Sequence, residues 1–530
     1  MVKPTIRIRN VWSVIENIPY EVKEELYEYL SFVVPGSEYS DRFVGNVTDP
    51  EEKEKAWDGK IHLFRKGSSS FLTGLTYRAC MFFKKEYNLI PDIIWEIKEP
   101  KKTLDLKWNY DKYPIREYQE KIISTCINKK RAILECATGS GKTIVIAKII
   151  QELGVAPFIF YVLTKDLMNQ AKERLEDAIP GLTVGIIGDG QCDIRDINVI
   201  TVQTATLCFS MNKLIQKKEI EKIRQEIRKY ADMEDEEYKE FKKENMKHLE
   251  SFEKRESIKN LIFNTNGVYA DEVQHFSAKT CKEIMQKSPN AYYRFGGSAT
   301  PERLDNSYMT IEGLFGRKTA VITASELIRK KFLIRPTIKF IKLKNKKTIV
   351  NTWAEDRKFN ITENTRRNEI IISLANSLSD EKERTLVLVQ MISHGNELKK
   401  RIPGAVFVHG STPREKRKKA LEQFKNREIP VLIGSVIADE GLDVPCLSNL
   451  IIAGGGKAAT RIKQRVGRVI RVDPNFSYEE QSATVYDFLD VGRWSSDHSL
   501  MRMETLKKEE EFKVEIISEE DVMLKQQPLF

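Results

Sequence analysis

The segment Ala137-Thr138-Gly139-Ser140-Gly141-Lys142-Thr143 constrains this chain more than any other. It follows the apolar strand Ala132-Ile133-Leu134 and opens a predicted helix running from Thr143 to Leu153. The glycines let backbone N–H groups curl around an anion, and the helix N-terminus adds partial positive charge at the same point. The general phosphate-loop pattern starts on a glycine where this chain has Cys136, but the rest of the pattern is intact. A strand, a glycine loop and a helix in succession begin a parallel βαβ unit. The chain is therefore expected to fold around a parallel sheet with helices on both faces.

Within that loop Thr138, Gly139, Ser140 and Gly141 form the cradle. Lys142 is placed to reach the β- and γ-phosphates of a nucleotide, and the Thr143 hydroxyl to ligate Mg2+. A second apolar strand, Gly267-Val268-Tyr269-Ala270, runs into Asp271-Glu272-Val273-Gln274-His275. The carboxyl end of a parallel strand faces the ligand crevice of such a sheet. There Asp271 can hold Mg2+ through water, and Glu272 can orient or deprotonate an attacking water. Upstream, Arg116 and Gln119 precede the loop, and a Gln amide can donate to and accept from an adenine edge at once. Far down the chain lies Gln464-Arg465-Val466-Gly467-Arg468-Val469-Ile470-Arg471. On a helix, Gln464, Arg468 and Arg471 fall at i, i+4 and i+7 and share a face. Two guanidiniums there could neutralise a transferring phosphoryl group, an effect of about a thousandfold or more in rate.

At 530 residues the chain is too long for one core, and two to four domains are expected. Residues 1–105 read as a small α/β unit. It has a strand at Ile6-Arg7-Ile8-Arg9, a helix over Pro19 to Phe32 with Val22, Leu26, Tyr29 and Leu30 on one side, and a helix over Thr73 to Tyr87. Strands then alternate with helices over residues 106–330. A second alternating region spans 331–500, with strands such as Leu386-Val387-Leu388-Val389 and Leu450-Ile451-Ile452. Residues 501–530 read as a tail. The stretch 211–260 is dense in charges of both signs, has no Gly or Pro, and reads as a helical insertion in the first large domain.

The formal net charge of +10 favours a polyanionic partner such as nucleic acid. The 7 cysteines are scattered without a CxxC pair, which fits reduced protein without a zinc site. No apolar run has the length of a membrane span, and the N-terminus has no signal-peptide core, so a cytoplasmic location with no membrane partner is expected.

As an ordered set these segments resemble the motifs of superfamily 2 helicases and translocases. Arg116–Gln119 is similar to the Gln motif, 136–143 to motif I, Leu163-Thr164-Lys165 to motif Ia, and Thr201-Val202-Gln203-Thr204 to motif Ic. Asp271–Gln274 resembles motif II, and Gly297-Ser298-Ala299-Thr300 resembles motif III, extended through Pro301 to Asp305. The Leu386–His394 region resembles motif IV, Gly434–Pro445 motif V, and 464–471 motif VI. The resemblance spans about residues 110–500. It implies two tandem RecA-like domains, ATP and Mg2+ as cofactors, and Gly441 and Asp443 as further nucleotide contacts. It also implies a nucleic-acid strand near Thr164, Lys165, Thr204 and His394. Ser298 through Arg303 with Asp305 looks like the DNA-directed branch containing XPB-like and phage UvsW-like helicases. Trp57-Asp58-Gly59-Lys60 and Thr73-Gly74-Leu75 resemble the small domain before the motor in UvsW-like proteins, which makes residues 1–105 a DNA-binding-like domain. One departure is Gln274, where many relatives carry His: it cannot titrate, so it is expected to couple motif II to motif III or VI without a proton switch.

The expected activity is ATP-dependent translocation on double-stranded or branched DNA such as forks, junctions and R-loops. An RNA helicase and the motor subunit of a restriction-type complex are the alternatives within the fold. A catalytically silent ATP-binding scaffold is a third, opposed by intact Lys142, Glu272, Arg468 and Arg471.

Overall fold

The computed structural model describes residues 2–47, 56–209, 236–301, 306–344, 347–380, 383–435, 447–456, 459–473 and 475–523. The first part of the expected insertion, residues 302–305, Gly441 and Asp443 lie outside the described residues. The chain divides into two compact units. One comprises Met1–Cys136 and Lys142–Val321, and the other Ala137–Gly141 and Ile322–Phe530.

The first unit holds a small sheet, a large one and an antiparallel pair of strands, Ser31–Val33 and Lys60–His62. Across the small sheet the strands run Phe64–Arg65, Ser70–Leu72, Trp12–Glu16, Thr5–Ile8 and Asp92–Trp95. The alternation at Ile6-Arg7-Ile8 buries both isoleucines and turns Arg7 outward, as a one-sided sheet requires. The first helix is Tyr20–Tyr29, which buries Val22 and Leu26 and sets the partly exposed Tyr29 ring 5.2 Å from that of the buried Phe82. The second is Thr76–Tyr87, preceded by a 3-10 turn at Thr73–Leu75.

Across the large sheet the order is Gln191–Cys192, Val184–Gly188, Ile197–Thr201, Phe158–Val162, Gly267–Asp271, Tyr293–Ser298, Arg131–Cys136 and Lys318–Ile322. The central pairs from Val184–Gly188 through Arg131–Cys136 are parallel. Phe158–Val162 and Val184–Gly188 are buried at every residue, because helices cover both faces. A helix at Glu236–Asn264 occupies the later part of the charged stretch, as its composition predicts.

The small sheet is not a separate body. Its core residues Ile6, Phe71, Leu72 and Phe83 belong to one apolar cluster with Ile133, Val268 and Phe315 of the large sheet and its helices. Arg131 donates to the Asn10 carbonyl, and Arg78 Nε donates to Glu312 Oε2 at 2.7 Å.

The second unit is built on a seven-stranded parallel sheet. Its order is Val406–Val408, Val431–Ser435, Thr385–Val389, Asn449–Ile452, Ala483–Leu489, Pro336–Lys342 and Lys513–Ser518. The last strand corrects the expectation of a tail at 501–530. Helix Arg493–Lys507 crosses the 500 boundary, and Lys513–Ser518 then pairs in register with Thr337–Lys342. Lys513 and Glu515 alternate with apolar residues in that edge strand, so its composition reads as a solvated tail although its backbone is paired.

Candidate active site

The candidate residues of the first unit gather at one edge of its large sheet. Cys136, Val162, Thr201 and Asp271 each end a parallel strand, and turns beyond those ends form the ligand edge of such sheets. Helix Lys142–Leu153 starts directly after the phosphate loop. Gly139 and Gly141 take φ values of 87° and 79°, the left-handed conformation that bends the loop. Lys142 Nζ donates to the Cys136 carbonyl at 3.1 Å, so its ammonium lies over the loop.

Asp271 accepts from the Tyr269 hydroxyl at 3.3 Å. Burial, then the charge of Glu272, push its carboxyl well above the usual carboxylate range, and Lys142 partly offsets them. A carboxylate crowded by another anion is a strong cation seat, so Asp271 and the Thr143 hydroxyl suit a divalent ion accompanying phosphates. Glu272 has a φ of 50°, which is costly for a residue with a Cβ and common at functional positions. Gln274, which is buried, donates from Nε2 to Glu272 Oε2 at 2.8 Å. One bond of Gln274 thus lies inside the acidic segment itself. His275 is exposed.

Gln119 is buried, and its Oε1 accepts from the Arg116 backbone N–H at 3.0 Å. Thr164 caps helix Lys165–Ala178 by accepting from the Leu167 N–H at 3.3 Å. Lys165 is exposed and pairs with Asp189. Thr204 receives the Thr201 hydroxyl at 2.8 Å. Strand Phe158–Val162 pairs with Ile197–Thr201 in register, so Thr164 and Thr204 follow neighbouring strand ends. Ser298 is buried and accepts from the Thr300 N–H at 3.0 Å.

In the second unit, helix Ala459–Val469 carries Gln464 and Arg468, both half-buried. Arg471 corrects the expected single helical face. It lies past the helix end in a bridge with Leu333, because Ile470 O accepts from the Ile334 N–H at 2.8 Å and draws the backbone out of the helix. The loop segment Ala137–Gly141 groups with this unit. A Cβ built on Gly467 would stand 2.4 Å from Thr138 Cβ, and one on Gly139 would stand 3.7 Å from Arg471 Cγ. The phosphate-loop backbone thus lies against the arginine segment.

His394 is placed differently from the expected strand contact. Its side chain is buried, with Nε2 at 2.9 Å from Asn368 Oδ1, and burial lowers its pKa to about 3. It packs inside the second unit. Two groups of residues escaped the sequence reading. One is a buried set of charges, Arg367, Asp487, Asp490 and Arg502. The other is the Arg78–Glu312 pair. Aspartates flanking the end of the apolar strand Val485-Tyr486-Asp487-Phe488-Leu489-Asp490 were the available signal for the first.

A phosphate loop after strand Arg131–Cys136, an acidic pair on a strand end of the first unit and an arginine helix in the second are the parts of a nucleotide-driven motor of two RecA-like domains. The chain belongs to superfamily 2 of the helicases, whose members bind and hydrolyse ATP. The family described as "Type III restriction enzyme, res subunit" matches residues 112–303, and "Helicase conserved C-terminal domain" matches 366–473. Together these spans take in more than half of the chain. A putative helicase of a Sulfolobus islandicus filamentous virus is 34% identical over 241 residues, which is 42% of this chain and 42% of the relative. The DNA 3'-5' translocase XPB2 of Sulfurisphaera tokodaii is 26% identical over 403 residues, 68% of this chain and 79% of the relative. The crystal structure of T4 UvsW aligns over 98% of this chain and 99% of that chain, at 17% identity and a TM-score of 0.42. Among the described residues no helix is long and apolar enough to cross a membrane.

Proposed function

We propose that this chain is an ATP-dependent DNA translocase that unwinds or remodels double-stranded or branched DNA. The observation that carries the reading is the approach of Thr138 in the phosphate loop to Gly467 in the arginine helix. With the family match it supports the reading by analogy that Lys142 and the loop N–H groups hold a nucleotide and that Arg468 and Arg471 cancel charge that develops on the transferred phosphoryl group. Thr143 and Asp271 would hold Mg2+, which when bound neutralises phosphate charge. Glu272, held by Gln274, orients and deprotonates the attacking water. Gln119 reads the adenine edge. Gly441 and Asp443 complete the nucleotide contacts by analogy with the family. DNA as the track is supported by the likeness to an archaeal DNA translocase and by the net positive charge. Thr164, Lys165 and Thr204 would touch phosphates, which makes tracking independent of base sequence and sensitive to salt.

The test is ATPase stimulation by forks, four-way junctions, R-loops, duplex, single-stranded DNA and RNA, with Lys142→Ala as the inactive control. Stimulation by branched or duplex DNA above RNA supports the reading. Stimulation by RNA alone, or undiminished turnover in Lys142→Ala, overturns it.

A further inference from the structure

The second unit buries four charged side chains in one cluster. Arg367, Asp487, Asp490 and Arg502 are each at most 4% exposed. Arg502 grips Asp487 with two bonds of 2.8 Å, from Nε and from a terminal nitrogen, and that nitrogen also lies 3.4 Å from Asp490 Oδ2. Arg367 Nε donates to Asp490 Oδ1 at 3.0 Å, and its guanidinium lies 4.2 Å from the Phe488 ring centroid. Asp490 therefore joins the two arginines.

Burying ion pairs is seldom a gain in stability over apolar packing, so such a cluster points to a geometric purpose. The remaining donors show which geometry. Arg367 reaches the Ala453 carbonyl at 2.6 Å, and Arg502 reaches the Gly456 carbonyl at 2.7 Å. These carbonyls bracket the short loop that leaves strand Asn449–Ile452 just before helix Ala459–Val469. Within the loop Gly455 and Gly456 take φ values of 63° and 97°, and the Gly454 N–H donates to the Leu388 carbonyl at 2.9 Å between the two arginine-bound ends. A second tie links the same helix to the segment beyond Arg502, where Lys463 Nζ meets Glu509 Oε1 at 2.6 Å.

We propose that Arg367 and Arg502 are positioning residues: held by Asp487 and Asp490, they fix both ends of the loop Ala453–Gly456 and thereby the helix that presents Gln464 and Arg468. This rests on the reading that Arg468 acts on the nucleotide. A planar fork bonded to a carboxylate and a carbonyl at once is a role lysine cannot fill. Arg→Lys exchange therefore keeps the charge and loosens the geometry.

The experiment compares Arg367→Lys, Arg502→Lys and Asp490→Asn with Arg468→Ala in the full chain. Nucleotide affinity is read from binding of a fluorescent ATP analogue, turnover from DNA-stimulated ATPase, and folding from thermal melting. In each positioning variant kcat is expected to fall about tenfold or more, with the nucleotide dissociation constant changed less than about twofold. Combining Arg502→Lys with Arg468→Ala is expected to add no further loss, because one residue acts through the other. Normal kcat in both lysine variants beside an impaired Arg468→Ala overturns the positioning role alone, as do multiplicative losses in the double variant. Loss of folding in all three variants overturns it too, since the cluster would then hold the sheet and not the loop. Normal turnover in Arg468→Ala overturns the underlying reading of the site.

Discussion

Thr138 of the phosphate loop and Gly467 of the arginine helix are in such close approach that no side chain fits between them. A Cβ at position 467 would lie 2.4 Å from Thr138 Cβ and 2.9 Å from its Oγ1. Gly467→Ala should therefore push the loop and helix apart. The exchange favours the helix itself by about 1 kcal/mol, which offsets part of the cost of the clash. ATPase kcat is expected to fall about tenfold or more, with the melting midpoint lowered by no more than the overpacking cost of about 1–3 kcal/mol implies. Steady-state ATPase and thermal melting on one preparation check this, and wild-type turnover would show that the approach has no part in the reaction.

Glu272 and Gln274 yield a graded pair of predictions. Removing the base in Glu272→Gln should lower kcat by about a hundredfold or more while nucleotide still binds, the range for loss of a general base. Gln274→Leu keeps the carboxylate but removes the donor that lies 2.8 Å from Glu272 Oε2. Its kcat should fall less, by about three- to tenfold, with KM for ATP unchanged. An effect of Gln274→Leu on KM alone would mean that Gln274 serves binding and not the aim of Glu272.

The two-sheet architecture and the phosphate edge were legible because period and punctuation are local properties. Continuous apolar runs announced the buried strands, and the glycine loop between strand and helix announced the nucleotide edge. Long-range pairing was less legible. Arg471 continues a helical spacing in the sequence, yet Ile334 captures the Ile470 carbonyl and the helix ends first. Lys513–Ser518 looks like a solvated tail until its register with Thr337–Lys342 is known. His394 occupies a motif position, but its burial depends on a partner, Asn368, that lies 26 residues earlier. The Arg367–Asp490 pair joins residues 123 apart and has no local signature.

The Thr73-Gly74-Leu75 segment was visible in the sequence, and its role is the joint between the small and large sheets. A Cβ on Gly74 would stand 1.9 Å from the Glu312 carbonyl oxygen and 2.8 Å from both the Gly313 oxygen and the Gly316 nitrogen. All three are backbone atoms, which cannot swing aside. Gly74→Ala should destabilise the chain by about 1–3 kcal/mol through overpacking. Gly67→Ala, whose Cβ would meet nothing within 4 Å, should stay within about 0.5 kcal/mol of wild type. Urea titrations compare the two, and equal midpoints would rule out a tight joint.

His394 predicts a pH dependence that belongs to folding and not to the chemistry. Its folded pKa is lowered to about 3, first by burial and then by the charge of Arg367, while in the unfolded chain it is near the ordinary 6.5. Above pH 6.5 both states are neutral and the group contributes no penalty. As pH falls below 6.5 the unfolded chain takes up a proton that the folded chain refuses, so stability is lost progressively toward pH 3. By linkage the loss at pH 5 is about 2 kcal/mol. In His394→Gln, whose amide can still donate to Asn368, that component disappears while every other titrating group remains. Wild type should therefore lose about 2 kcal/mol more than the variant between pH 7.5 and pH 5 in urea unfolding. Identical losses would mean that the imidazole is protonated in the folded chain, which would place it in contact with water or an anion and restore it as a candidate for touching a nucleic-acid strand.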